Sequence, residues 1–258
     1  MIFWTKSQCP VTEEERVWIE DSMLWLLSKF GENLFQKIKV ITPTKNFFPD
    51  IYESNVAGLK KLTKLIASYM EVDDSKIDVQ LFSDSNDSLK ALLPLYKSEY
   101  KGASGLYKSS AESNKFIIAV NEREFNNQVN LIATIAHELG HVHLLGDNML
   151  SSEEEDHEYM TDLLTVFFGM GIFTANSAFN FNQWQEANSM GWSSSIQGYL
   201  SERMFGYAHS VFTWIRSENN PQWGKFLDAN VKVPFKQGVK YLNKGGDTMV
   251  YKLNVHAT

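Results

Sequence analysis

The chain has 258 residues, 43% of them hydrophobic, with 24 Lys and Arg against 31 Asp and Glu and a formal net charge of −7. That is enough apolar material for one large core, so a single compact unit over residues 1–258 is expected. The mildly acidic balance, with both signs spread along the chain, argues against a nucleic-acid partner or a polybasic membrane surface. The lone cysteine, Cys9, excludes an intrachain disulfide and fits a reducing, cytoplasmic setting.

The first ten residues lack the long apolar stretch of a signal peptide. Thr12 and Glu15 then make a capping box. Val17, Ile19, Met23, Leu26, Leu27 and Phe30 follow at helical spacing until Gly31, predicting a first helix. Val40-Ile41-Thr42-Pro43 reads as a short strand ended by proline. Ser54 caps a second helix through about Met70, with Leu59, Leu62, Ile66 and Tyr69 inward. Ile77 to Phe82 alternates as a strand, residues 83–88 form an acidic, serine-rich loop, and Leu89 to Tyr96 a short helical piece disturbed by Pro94. A strand ending at Leu106-Tyr107, a polar turn and a stronger strand, Lys115 to Asn121, lead into a helix capped by Asn126 or Asn127 and stopped by Gly146. A polar loop and Ser151 to Glu155 open the next helix, from Asp156 to about Phe168, which Gly169 and Gly171 end. The most apolar run, residues 163–175, is shorter than the roughly 20 residues a spanning helix needs, so no membrane partner is expected. Residues 176–193 lack a period and read as a long loop of the kind that often forms a lid. A long helix over Ser195–Arg216, a short one from Pro221 to Ala229, another over Phe235–Leu242 and a short strand at Met249–Leu253 complete the pattern.

The helix after Asn127 carries His137-Glu138-Leu139-Gly140-His141. Two histidines four residues apart on a helix differ by about 40° around the axis and about 6 Å along it, so both rings reach one ion. Glu138 flanks that face, where it can touch a water at the metal. Ala133, Ala136 and Gly140 are small enough to let another element pack alongside. A His pair on an amphipathic helix is also compatible with an ordinary hydrogen-bonded pair.

A catalytic zinc takes three protein ligands and keeps one position open. The helix from Asp156 offers Glu158, with Asp162 one turn later on the same face. Glu158 is the expected third ligand, and Asp162 the brace on the ring N–H of His137. His157 is the competing third ligand, though neighbouring helix positions point about 100° apart and only one of the two faces the ion well. His143 lies on another side and reads as structural or surface.

H-E-x-x-H followed on the next helix by E-x-x-x-D resembles the gluzincin, thermolysin-like metallopeptidases, through His137-Glu138-Leu139-Gly140-His141 and Glu158-Tyr159-Met160-Thr161-Asp162. The resemblance does not reach the first hundred residues. It implies a Zn2+ cofactor, zinc ligands His137, His141 and Glu158, Glu138 as general base, Asp162 supporting the first His, and a peptide or protein substrate. The implied fold is helix-rich α+β: a zincin-like core with a small mixed or antiparallel sheet on the H-E-x-x-H helix, over residues 99–258. Residues 1–98 form a helical region without an assigned role. An oxyanion donor is expected from Tyr199, Arg203, Tyr207 or His209, with Tyr207 and His209 favoured as further catalytic residues. The rival readings are a zinc-binding regulatory protein without activity and a zinc hydrolase of non-peptide amides. Cys9 as an inhibitory thiolate on the zinc is a minor alternative.

Overall fold

A computed structural model describes residues 8–50, 52–85, 103–110, 115–178 and 200–253. It shows a helix-rich α+β fold with one small mixed sheet among the described residues. The first helix, α1 (Glu13–Phe30), starts on the Thr12–Glu15 capping box, and its last turn meets Gly31 at φ 87°, a backbone angle that suits glycine. A six-residue helix that the periodicity does not reveal, α2 (Glu32–Lys37), follows directly. Next comes α3 (Val56–Tyr69), whose cap is Asn55 and not Ser54.

The strands are β1 (Ile77–Phe82), β2 (Gly105–Ser110) and β3 (Lys115–Asn121), in the order β1-β3-β2. β1 runs parallel to β3, and β2 antiparallel to it. Ile118 and Val120 of the central strand turn into the main core, while Ala119 packs with Phe82 and Leu106 on the other face. This is the alternation a pleated strand imposes.

The chain then enters α4 (Gln128–His141), whose first amides are capped by the Asn127 side chain. Its end departs from expectation. The backbone continues as one wide π turn over Val142–Gly146, and the left-handed residue is Asn148, at φ 54°. α5 (His157–Phe167) packs across α4, and the contact explains a small residue. A Cβ on Gly140 would lie 2.8 Å from Thr161 Cγ2, closer than real Cβ contacts allow. A helix over residues 171–178, α6, follows Gly169 and Met170. The last two are α7 (Glu202–Ile215), capped by Ser201, and α8 (Ala229–Asn243).

Three local expectations fail for identifiable reasons. Residues 40–43 are not a strand, because the segment docks singly, with the Ile41 amide donating to the Gly169 carbonyl. Residues 249–253 likewise bond to a helix end, through Leu253 N–H and Ile215 O, and not to a strand. The two short helices expected after Pro221 are a 3-10 turn (Gln222–Phe226) and the single helix α8, which continues through Pro234. The expected Leu89–Tyr96 helix, most of the 176–193 loop and residues 195–199 lie outside the described residues.

One continuous apolar core joins the N-terminal helices to the rest, with Ile19, Met23, Leu59 and Leu62 in the same cluster as Ile135, Leu139, Leu163 and Val211. No helix among the described residues is long and apolar enough to cross a membrane.

Candidate metal centre

The C-terminal half of α4 and the first two turns of α5 lie side by side, and the polar residues of both helices meet at their contact. Asp162 Oδ1 accepts the Nδ1–H of His137 at 2.9 Å, and its Oδ2 accepts the amide of Leu200, one residue before the α7 cap, also at 2.9 Å. The hydroxyl of Thr161 donates to the His157 carbonyl at 2.8 Å, which leaves its oxygen to accept the Nδ1–H of His141 at 3.3 Å. Both imidazoles therefore carry their hydrogen on Nδ1 and turn Nε2 toward the same point.

That point is closed by Glu158. Its Oε2 lies 2.9 Å from His137 Nε2 and 3.5 Å from His141 Nε2. The three ligand atoms all lie within 4.8 Å of one another. Ligands 2.0–2.1 Å from a tetrahedral zinc stand about 3.3 Å apart, so the two separations bracket the zinc value. Two neutral imidazoles with braced tautomers and one carboxylate are also the donor set that suits this ion. The residues fit a zinc site.

Burial opposes charge on His137, but the Asp162 and Glu158 carboxylates on its two nitrogens outweigh it and hold the ring well above the usual imidazole range. Burial likewise opposes ionisation of Glu158, yet hydrogen bonds from His137, His141 and His157 hold its carboxyl well below the usual range. Without a metal, protons bridge these groups. A cation that takes their place must release protons on binding.

Glu138 differs from its neighbours. It is 5% exposed and its carboxylate makes no hydrogen bond among the described residues; burial raises its pKa, with the nearby His141 and His137 partly offsetting. Its carboxylate lies against β2 at Gly105, where a side chain would collide with it. Two positions further along β2, the ring of Tyr107 stands 5.7 Å from that of His141. Burial pushes the Tyr107 phenol up to about 12, so it stays an O–H donor at neutral pH.

Of the residues singled out from the sequence, His137, His141, Glu158 and Asp162 come together with Glu138 beside them. His157 does not aim at the shared point. Its Nδ1 donates to the Glu154 carbonyl at 2.8 Å, and its Nε2 lies 3.2 Å from Glu158 Oε1, the oxygen turned away from the ligand triangle. His143 is buried and structural, with Nε2 donating to Met70 O at 2.7 Å and its ring stacked on Phe168.

Tyr207 and His209, expected as oxyanion donors, each have a hydrogen-bond partner other than the ligand residues. The Tyr207 hydroxyl donates to Glu20 at 2.6 Å. His209 donates from Nδ1 to Phe205 O at 2.7 Å and packs on Trp223 and Phe235. Arg203 pairs with Glu15, and Tyr199 is outside the described residues. Cys9 is half-buried beside Arg16, Glu20 and Tyr207, and not at the ligand triangle. Gly105 and Tyr107 were missed as site residues, although a glycine inside a strand pattern is a signal of close approach.

No protein family, curated protein or solved structure matches this chain.

Proposed function

We propose that this chain is a zinc-dependent metallopeptidase with a zincin-like core, its ion held by His137, His141 and Glu158. The observation that carries the reading is Glu138. Its carboxylate is buried, has no side-chain hydrogen bond among the described residues, and stands directly beside a triangle of metal-type donors. A site that only holds a metal needs ligands and braces, and has no use for such a group. The resemblance to gluzincins points the same way.

Zinc bound there supplies Lewis-acid activation of a water and of a carbonyl. Glu138 takes a proton from the water and returns it to the leaving amine, and a pKa raised by burial brings it nearer the working pH of an acid–base group. Asp162 keeps the His137 tautomer fixed throughout. Among the described residues β2 ends the sheet in the order β1-β3-β2 and lies beside α4, an edge to which an extended peptide can add as a further strand, which supports a peptide or protein substrate over a small amide.

The test is Glu138→Gln. The variant is expected to keep one zinc per chain by elemental analysis and to lose on the order of 10²–10⁴-fold in cleavage of a quenched-fluorescence peptide library. Wild-type turnover in the variant, or wild-type protein that binds no zinc, would overturn the proposal.

A further inference from the structure

On β2 the residues facing α4 alternate, with Gly105 against Glu138 and Tyr107 against His141. Thr134 and Glu138 are one turn apart on α4 and reach the same spot on the strand. A Cβ built on Gly105 would overlap Glu138 Oε1, and would lie 2.7 Å from Thr134 Cγ2 and 2.9 Å from Glu138 Cδ. Real Cβ atoms essentially never come that close to another heavy atom.

The glycine is not there for its backbone. Gly105 is a regular strand residue paired with Val120, and its φ is not among the positive values. Glycine inside a strand is less stable there than alanine, for want of a side chain to pack and for its backbone entropy. What the position uses is the missing side chain.

We propose that Gly105 is a positioning residue for Glu138: by presenting bare backbone, it lets the carboxylate lie against β2 beside the ligand histidines. Any side chain at 105 pushes the end of Glu138 away, while the three atoms nearest the added one belong to Glu138 and Thr134 and none to His137, His141 or Glu158. The role rests on the reading of Glu138 as the base, but the contact itself does not, and the experiment separates the two.

Gly105→Ala is expected to bind zinc with wild-type stoichiometry and affinity. Its kcat on the peptides cut by the wild type should fall on the order of a hundredfold, the scale of a 1 Å misplacement, with little change in KM. Thr134→Ser removes the second clash, so the loss of kcat should persist in Gly105→Ala/Thr134→Ser, which also serves if the single variant folds poorly. A melting-temperature cycle needs no activity: Gly105→Ala should lower Tm in the wild-type background and lower it less in Glu138→Ala. Wild-type kcat in Gly105→Ala, kcat restored by Thr134→Ser, or the same Tm loss in both backgrounds would each overturn the proposal. If the wild type cleaves nothing while the Tm cycle is non-additive, the function has failed and the contact stands.

Discussion

Glu20 and Glu138 are both buried carboxylates on helices, and they keep opposite company. Glu20, at 0% exposure, has donors on both oxygens. Its Oε1 accepts from Tyr207 at 2.6 Å, and its Oε2 accepts from the Met249 amide at 2.7 Å and from Arg16 at 3.2 Å. Arg16 also donates to the Asp247 carbonyl at 2.9 Å, so the cluster straps residues 247–249 and α7 onto α1. Around Glu138 no side-chain donor appears among the described residues, and the imidazoles of His137 and His141 beside it turn their Nδ1 hydrogens to Asp162 and Thr161. Burial of charge is common to both regions. What separates them is satisfaction: donors hold both oxygens of Glu20, while Glu138, the proposed base, has no side-chain hydrogen bond among the described residues.

The sharpest way to break this contrast is to make the same change at both places. Glu20→Gln puts an amide N–H₂ among three donors and strips Arg16 of its buried partner, and is expected to cost about 3–5 kcal/mol in urea unfolding. Glu138→Gln removes a buried charge that has no side-chain hydrogen bond among the described residues, and should leave the metal-free protein as stable as the wild type or about 1 kcal/mol more so. Equal losses at the two positions would erase the distinction between the regions.

A third buried polar residue extends the contrast to an imidazole with no carboxylate. Burial lowers the His209 pKa to about 4, only partly offset by its bond to Phe205 O. The unfolded chain therefore binds this proton near pH 6.5, while the folded one refuses it until about pH 4. Folding is unpenalised above 6.5, and the cost grows as pH falls, to about 3 kcal/mol at pH 4. His209→Gln should remove that component: the wild-type-minus-variant stability, measured by urea midpoints from pH 7 to 4, should decline as pH falls. A flat difference would show that the ring is not held neutral.

How much of this was legible in the chain follows the range of the forces involved. His137, His141, Glu158 and Asp162 were readable because helix geometry alone sets where residues three and four apart point. The α1 capping box was readable for the same reason. Glu20 was not singled out as buried, since its partners Tyr207 and Met249 lie 187 and 229 positions away. Tyr207 sat on a plausible helix for an oxyanion donor until tertiary packing turned it to Glu20. Residues 40–43 and 249–253 have strand-like composition but no strand to pair with among the described residues, and a strand is only as real as its neighbour. The expected break between a helix ending at Ala229 and one starting at Phe235 is absent, because α8 runs through Pro234. Gly105 carries meaning only once β2 is docked on α4.

The mildest change expected at the site tests whether its braces matter as its ligands do. Asp162 accepts on both oxygens, from His137 Nδ1–H and from the Leu200 amide. In Asp162→Asn one of those oxygens becomes N–H₂. The Leu200 amide is a fixed donor and claims the remaining oxygen, so the new N–H₂ faces His137 Nδ1 and favours the tautomer with hydrogen on Nε2. Nε2 is the atom that must bind the ion, and each zinc bound then works against that tautomer. Zinc affinity should fall about 10–100-fold in competition with a chromogenic chelator, while the fold and the stoichiometry at saturating zinc are kept. Unchanged affinity would mean that the His137 ring is held by its packing and that Asp162, like Glu20, serves structure by anchoring the start of α7 at Leu200.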